Sequence, residues 1–255
     1  METKNIEALL NTIKILRSEN GCKWDREQTH QSIRQNMLEE AYEAVDAIND
    51  NDIKHLKEEL GDVLLQVVLH AQIADDNGEF NFEDIAEELN KKLIHRHPHV
   101  FSNVKVNNVD EILSNWDKLK KEEKPHRKSV LDGISKAQSA LMTAQKLSKK
   151  AVKVGFEWES EEDVLNCVKG ELEEFLCADN FDDKEMEFGD ILFALVNLAR
   201  WNKIDSEQAL IRANKKFEKR FRKMEEIAKE KELVLEELSL IEWDNLWKKA
   251  KGEVG

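Results

Sequence analysis

Apolar side chains recur along this chain at intervals of three and four, with little alternation of period two. That pattern predicts amphipathic helices and leaves little room for strands. The spacing predicts helices near 5–19, 33–49, 53–75, 82–95 and 109–122, then near 135–150, 161–178, 184–201, 206–231 and 240–251. Ser160, Ser206 and Ser239 stand where N-caps are expected, and Ser239 with Glu242 forms a capping-box pattern. Pro98 is expected to stop the helix that carries Arg96. Short polar segments join successive helices, which favours antiparallel neighbours. The expected fold class is all-α.

The pattern also repeats. "EELGDVLLQVVLH" (58–70) returns as "EFGDILFALVNLA" (187–199), which pairs Glu59 with Glu187 and Asp62 with Asp190 at an offset of 128. Upstream, "EEAYEAVDA" (39–47) parallels "GELEEFLCA" (170–178) at an offset of 131, so Glu40 matches Glu171 and Glu43 matches Glu174. Downstream, "NKKLIHR" (90–96) parallels "NKKFEKR" (214–220), pairing Lys92 with Lys216 and Arg96 with Arg220. Three blocks in one order, with offsets that drift only between blocks, indicate duplication of a helical unit. The charged segment "KKEEKPHRKS" (120–129), broken by Pro125, is the expected divide, giving tandem domains at 1–124 and 125–255.

Composition narrows the partners. Charged residues make up 36% of the chain, and the formal net charge is −14. A surface that acidic disfavours a nucleic-acid polymer or an anionic membrane as partner. It leaves room for a small phosphorylated ligand, because a metal ion can stand between acidic protein and anionic substrate. Cys22, Cys167 and Cys177 are odd in number and form no C-x-x-C pair, which fits a reducing, cytoplasmic setting. Residues 1–20 hold three acids and no apolar run of signal-peptide type, and the apolar runs near 63–69 and 191–196 are too short to span a bilayer.

Acids three apart share a helix face. With 53 acids in 255 residues, chance alone supplies about 11 such pairs, so one pair carries little weight. Here two pairs on adjacent predicted helices recur as a set, and each set borders an apolar run. Four converging carboxylates would repel one another unless cations sat among them. The donors are all hard oxygens, which suits Mg²⁺ or Mn²⁺ rather than zinc or copper. A di-iron bundle would need paired Glu-x-x-His motifs; the first half offers only Glu27 with His30, and no His follows His126. Mg²⁺ held this way completes its shell with water and substrate phosphates, and Lys216 and Arg220, four apart, could meet the outer phosphates. His95, His97 and His99 invite a zinc reading, but alternate positions around Pro98 define no fixed ligand geometry, so a structural or interface loop is expected there.

The ordered set Glu40, Glu43, Glu59, Asp62 and its copy Glu171, Glu174, Glu187, Asp190 resembles the E-E-x-x-E…E-x-x-D signature of MazG-type nucleoside triphosphate pyrophosphohydrolases. "CKWDREQTH" (22–30), "HRHPHVF" (95–101), "LDGISKAQSALMTAQKLSKKAVKVGFEW" (131–158) and "NKKFEKRF" (214–221) extend the resemblance over nearly the whole chain in the two-repeat form. It implies an all-α fold, Mg²⁺ dependence, homodimerisation, and hydrolysis of nucleoside triphosphates to monophosphate and pyrophosphate. It implies metal-binding roles for Glu171, Glu174, Glu187 and Asp190; that Glu174 or Glu171 orients or deprotonates the attacking water is a separate expectation from the chemistry. It further implies phosphate contacts for Lys216 and Arg220, and a nucleotide contact for Trp247. Glu39, Glu40, Glu43, Glu59 and Asp62 form a second candidate metal set, with Lys92 and Arg96 as its phosphate-side counterparts.

Two positions depart from the pattern: Gly170 stands where the first half has Glu39, and Lys23 replaces the Pro of the family's C-P-W-D segment. Two alternatives stay open. One is a non-catalytic, nucleotide-sensing dimerisation module; the other is a narrower pyrophosphatase acting on dUTP or phosphoribosyl-ATP.

Overall fold

A computed structural model of the chain describes residues 4–106, 108–123 and 127–255. Among them every regular element is helical. The chain divides into two compact units, Met1–Lys124 and Pro125–Gly255.

The first unit is built on α1 (Lys4–Arg17), α2 (Lys23–Glu27), α3 (Arg34–Asn49) and α4 (Ile53–Asp76), followed by α5 (Phe82–Arg96), α6 (Pro98–Phe101) and α7 (Val109–Glu122). α3 and α4 form a tight antiparallel hairpin. Asn51 adopts φ 56° in the connection, and the Asp52 carboxylate then caps α4 by accepting from the Lys54 and His55 amides at 3.1 and 3.0 Å. Ile13, Ile33, Val68, Leu69 and Ile73 make the core, so α1 and the start of α3 both close on α4. The turn after α1 needs glycine: a Cβ on Gly21 would lie 2.2 Å from the Ile15 carbonyl oxygen. Arg17 then ties the pieces together, donating to the carbonyl oxygens of Asp25 and Gln28 and pairing with Asp76 at 2.7 Å.

His30 and His70 form a further clasp. Their Nδ1 atoms are 2.7 Å apart, the rings are nearly parallel, and the centroids are 5.0 Å apart. Those values place the rings edge to edge, one nitrogen donating a proton and the other accepting it. Burial, and then the neighbouring His30, hold the His70 pKa below its ordinary value of 6.5. A base with a depressed pKa takes up its proton in the unfolded chain first. Stability of this unit is therefore complete above that ordinary value and is lost as the pH falls from it toward the lower value of the folded state. Thermal unfolding across about pH 7.5 to 5.5 should show this slope in the wild type and a smaller one in His70→Leu; equal slopes would refute it.

The second unit holds α8 (Ala140–Val152), α9 (Glu161–Cys177), α10 (Phe181–Trp201), α11 (Ser206–Glu230), a 3₁₀ turn (Leu235–Glu237) and α12 (Leu240–Val254). α9 and α10 form the antiparallel pair, with Val164, Ile191, Ala194 and Val196 buried. α11 and α12 close on a second core of Met224, Ile227, Ala228, Leu246 and Ala250. A buried polar joint fixes α8 to the start of α11: the Gln145 amide donates to the Ile204 carbonyl at 2.6 Å and accepts from the Ser206 amide and hydroxyl at 3.1 and 3.0 Å.

That joint corrects one cap. Ser206 is the first residue of α11 and its hydroxyl is spent on Gln145; the cap is Asp205, which accepts from the Gln208 amide at 2.9 Å. Ser160 and Ser239 do cap α9 and α12, and Ser239 with Glu242 completes the capping box. The helix expected from 135 starts only at Ala140, behind the Ser139 cap. The short α2, α6 and 3₁₀ turn have too few residues to show a helical period. Pro98 ends α5 as expected but also opens α6 as its first residue, where a missing N–H costs nothing.

Candidate metal centre

Each antiparallel pair presents four acids across its seam. In the first unit α3 supplies Glu40 and Glu43, and α4 supplies Glu59 and Asp62. One carboxylate oxygen from each of Glu40, Glu43 and Glu59 lies within 4.8 Å of the other two. Glu59 is 6% exposed. Its Oε1 meets His55 Nε2 at 2.8 Å, while its Oε2 is buried without a hydrogen-bond partner. Burial, more than any neighbour, raises the Glu59 pKa; the charges of Glu43 and Asp62 add to it, and His55 opposes them. Glu40 is raised for the same leading reason, with Asp62, Glu43, Glu59 and Glu39 contributing charge. Asp62 and Glu39 thus act on the cluster by their charge while lying outside the closest three.

The second unit also draws three acids together, but Asp190 joins them where Glu43 does in the first unit. Glu171 from α9 meets Glu187 and Asp190 from α10, again with one oxygen of each inside 4.8 Å. Burial and then the charges of Glu174, Asp190 and Glu171 raise the Glu187 pKa. Glu174 is exposed and borders the group without joining it. The Cys167 thiol, one turn before Glu171 on α9, lies 3.8 Å from Glu171 Oε1, and burial, then Glu171, push its pKa up. Gly170 takes no acid from the group, because its counterpart Glu39 also stands outside the closest three. A Cβ on Gly170 would touch nothing within 4 Å.

The donor chemistry fits a divalent cation. Three like charges at this separation raise one another's pKa, and an orphaned buried carboxylate oxygen is costly to leave unmatched. A cation relieves both conditions, and oxygen-only donors select the Mg²⁺, Mn²⁺ and Ca²⁺ class.

The basic residues sit differently from the acids. Arg96 donates through Nε to Glu123 Oε1 at 3.0 Å and through Nη2 to Glu123 Oε2, with its guanidinium 5.6 Å from the Trp116 ring. The pair holds the Glu123 carboxyl down at about 2, the Arg96 hydrogen bonds being the leading cause. Lys92 pairs with Glu88 at 3.4 Å. In the second unit Lys216 is exposed on α11. Arg220 donates to the Gly255 carbonyl at 2.9 Å and lies 5.7 Å from the Trp247 ring, which Phe217 also contacts, at 5.5 Å between centroids. Among the described residues no hydrogen bond or ion pair joins Lys216, Arg220 or Trp247 to the carboxylates. His95 meets Glu123 at 3.2 Å, and His97 packs edge-on against Trp116. The expected loop is mostly helix, with His95 in α5, His99 in α6 and only His97 between them, and none of the three belongs to a metal-ligating group among the described residues.

Sequence reasoning missed the His30–His70 clasp, whose members are 40 residues apart with no shared period. It also missed Asn197 and Ser148, buried at 4% and 5% exposure. The available signal for Asn197 was a lone amide inside the apolar run "ILFALVNLA".

The chain is all-α, and each of its two units carries a helix-pair carboxylate group whose donors fit a divalent cation. Comparison with known proteins narrows the class. The family model described as "MazG nucleotide pyrophosphohydrolase domain" matches residues 28–101. A Thermotoga maritima protein named nucleoside triphosphate pyrophosphohydrolase/pyrophosphatase MazG is 44% identical over 247 residues, covering 96% of this chain and 95% of that one. The nucleoside triphosphate pyrophosphohydrolase of Escherichia coli K12 is 41% identical over 254 residues, covering 96% and 97%. YabN of Bacillus subtilis, an uncharacterized protein, is 49% identical over 244 residues, with 94% of this chain matching 50% of that protein. The chain belongs to the MazG family.

Proposed function

We propose that this protein hydrolyses nucleoside triphosphates to nucleoside monophosphate and pyrophosphate, with Mg²⁺ as cofactor, Mn²⁺ as substitute, and little preference among bases. The observation that carries the reading is that each unit draws three carboxylates together, Glu40, Glu43 and Glu59 in the first and Glu171, Glu187 and Asp190 in the second. The names of the Thermotoga maritima and Escherichia coli relatives support the reaction.

In this reading Glu171, Glu187 and Asp190 hold the cation. When bound, it neutralises phosphate charge and polarises the phosphorus that is attacked. Glu174, beside the group but outside it, is free to orient or deprotonate the attacking water; Glu171 is the other candidate for that role. Lys216 extends from α11 toward solvent, where it can meet outer phosphates as a point charge. Arg220 has to leave Gly255 to do the same, so it serves better as a support for Trp247.

For the first unit one observation favours a cation-holding, non-catalytic role: Arg96 and Lys92 are both committed to carboxylates of their own unit. The match of the family model to residues 28–101 favours a second active site instead. Homodimerisation is part of the proposal, supported by exposed Leu172, Leu176, Phe188, Leu192 and Leu195 on α9 and α10, an apolar face that a second copy would cover. No helix among the described residues is long and apolar enough to cross a membrane, and we place the protein in the cytoplasm.

The test is turnover of the eight common ribo- and deoxyribonucleoside triphosphates with product analysis, with Mg²⁺, with Mn²⁺ and after chelation. Monophosphate and pyrophosphate should form from all of them and cease on chelation. Diphosphate and orthophosphate as products would defeat the reaction proposed, and turnover of dUTP alone would defeat the broad preference.

A further inference from the structure

The two carboxylate groups differ in the residue that stands one turn ahead of them. In the first unit it is His55, four before Glu59 on α4; at the repeat offset of 128 the second unit has Asp183, four before Glu187 on α10. Residues four apart share a helix face, so each side chain is set beside a carboxylate of its group. The histidine donates: His55 Nε2 meets Glu59 Oε1 at 2.8 Å. An imidazole carries an N–H whether neutral or protonated, so the contact needs no net charge. An ionised aspartate has no proton to give. Asp183 instead accepts from the Asn180 side chain at 2.6 Å, and its charge opposes that of Glu187.

The His55 contact is fixed at both ends. Its backbone amide donates to the Asp52 cap at 3.0 Å, which sets the first turn of α4. Glu59 is 6% exposed, which leaves its carboxylate little room to turn. With Oε1 taken by the imidazole, Oε2 is buried without a hydrogen-bond partner. Glu59 is also one of the closest three acids, with Glu40 and Glu43. His55 belongs to no such metal-ligating group itself; what it touches is Glu59.

A second buried acceptor lies on the same face. Gln66, seven residues after Glu59, is 4% exposed and its Oε1 also lacks a partner. The matching residue of the second unit is Ala194. Buried oxygens with no donor are costly. A divalent cation with the waters it keeps answers both of these.

We propose that His55 is the positioning residue of the first carboxylate group: by holding Glu59 Oε1 it presents Oε2 to a divalent cation, and it makes this group the tighter of the chain's two cation sites. The proposal rests on the divalent-cation reading above. Outer partners that orient a ligating carboxylate account for about 10–100-fold in metal affinity. The second group has no such donor and carries the repelling Asp183 in its place. Its acids are also wetter, Glu187 being half-buried and Asp190 exposed, and water weakens their attraction for a cation. The tighter site suits an ion that stays with the fold, and the looser one an ion that arrives and leaves with a triphosphate. A pair serving the helix alone would be worth little, because the His55 side chain is 48% exposed, and its loss would leave cation affinity where it was.

The experiment follows Mn²⁺ binding to the full chain through the electron paramagnetic resonance of the free ion. It compares wild type with Glu171→Ala, alone and combined with His55→Ala, His55→Gln or His55→Asp. Wild type should show two classes of site, and the tighter should survive Glu171→Ala. Adding His55→Ala should weaken that class by about 10–100-fold. His55→Gln keeps a donor and should bring affinity back to within about threefold of the Glu171→Ala parent. His55→Asp, which installs the second unit's residue, should weaken it at least as much as alanine does. Thermal midpoints without metal should hardly move, whereas the rise on adding Mn²⁺ should shrink with the affinity. Affinity within about twofold of the parent in all three His55 variants would overturn the positioning role while leaving the cation reading standing. Loss of the tighter class in Glu171→Ala alone would overturn the proposed order of the two sites. A wild type that binds no Mn²⁺ would overturn the cation reading and this proposal together.

Discussion

Glu171→Ala lowers Mg²⁺-dependent nucleoside triphosphate turnover by at least about 100-fold, since even residues that only orient metal ligands cost 10–100-fold when removed. Glu171 is the sole α9 member of the closest three carboxylates in the second unit. Without it Glu187 and Asp190 remain, both on α10, and a cation is no longer gripped from two helices. The fold should not suffer. Removing Glu171 relieves part of the repulsion that, after burial, raises the Glu187 pKa, so thermal unfolding without metal should be unchanged or slightly higher. With saturating Mg²⁺ the wild type gains stability by linkage and the variant does not. Glu40→Ala is the matched experiment in the first unit. If Glu40→Ala abolishes turnover and Glu171→Ala does not, the chemistry belongs to the first cradle. Loss in both would mean that the two cradles depend on one another.

Ile227→Ala has the largest expected effect on stability, about 2–5 kcal/mol. Ile227 is 1% exposed and lies at the centre of the core that joins α11 to α12, with Met224, Ala228, Leu246 and Ala250 around it. Two of those neighbours are alanines on fixed helix backbones, so the wall can do little to collapse into the space left behind. The loss should fall on the transition of the second unit and lower its midpoint by on the order of 10 °C. With two units in the chain, calorimetry should resolve this as a shift of one transition rather than a uniform displacement. Ile15→Ala provides the contrast: Ile15 is 56% exposed, and its loss should cost little. Equal shifts for the two variants would show that the α11–α12 contact does not stabilise the unit.

Particular residues show how far the sequence could be read. Glu59 and Glu187 were legible because a carboxylate at the edge of an apolar run conflicts with helix amphipathicity, and the same conflict occurs twice. Ser160 and Ser239 were legible because capping depends on neighbours three residues away. Ser206 was misread for the complementary reason. Its hydroxyl goes to Gln145, 61 residues away, and no local rule reports so distant a partner. Arg96 and Arg220 occupy equivalent places in the repeat, yet one is held by Glu123 and the other by Gly255.

The sequence by itself determined the helical class, the duplicated unit and the eight acids of the two cradles, because periodicity, capping and repetition act along the chain. Only the tertiary structure decided which three acids of each four draw together, which basic residues are already engaged, and where the second unit leaves a hollow. Those outcomes depend on how side chains from separate helices fill a common space. Leu69 and Asn197 stand at matching positions of one repeat, and their packing partners alone make the first a core residue and the second part of the wall of a cavity of about 280 Å³.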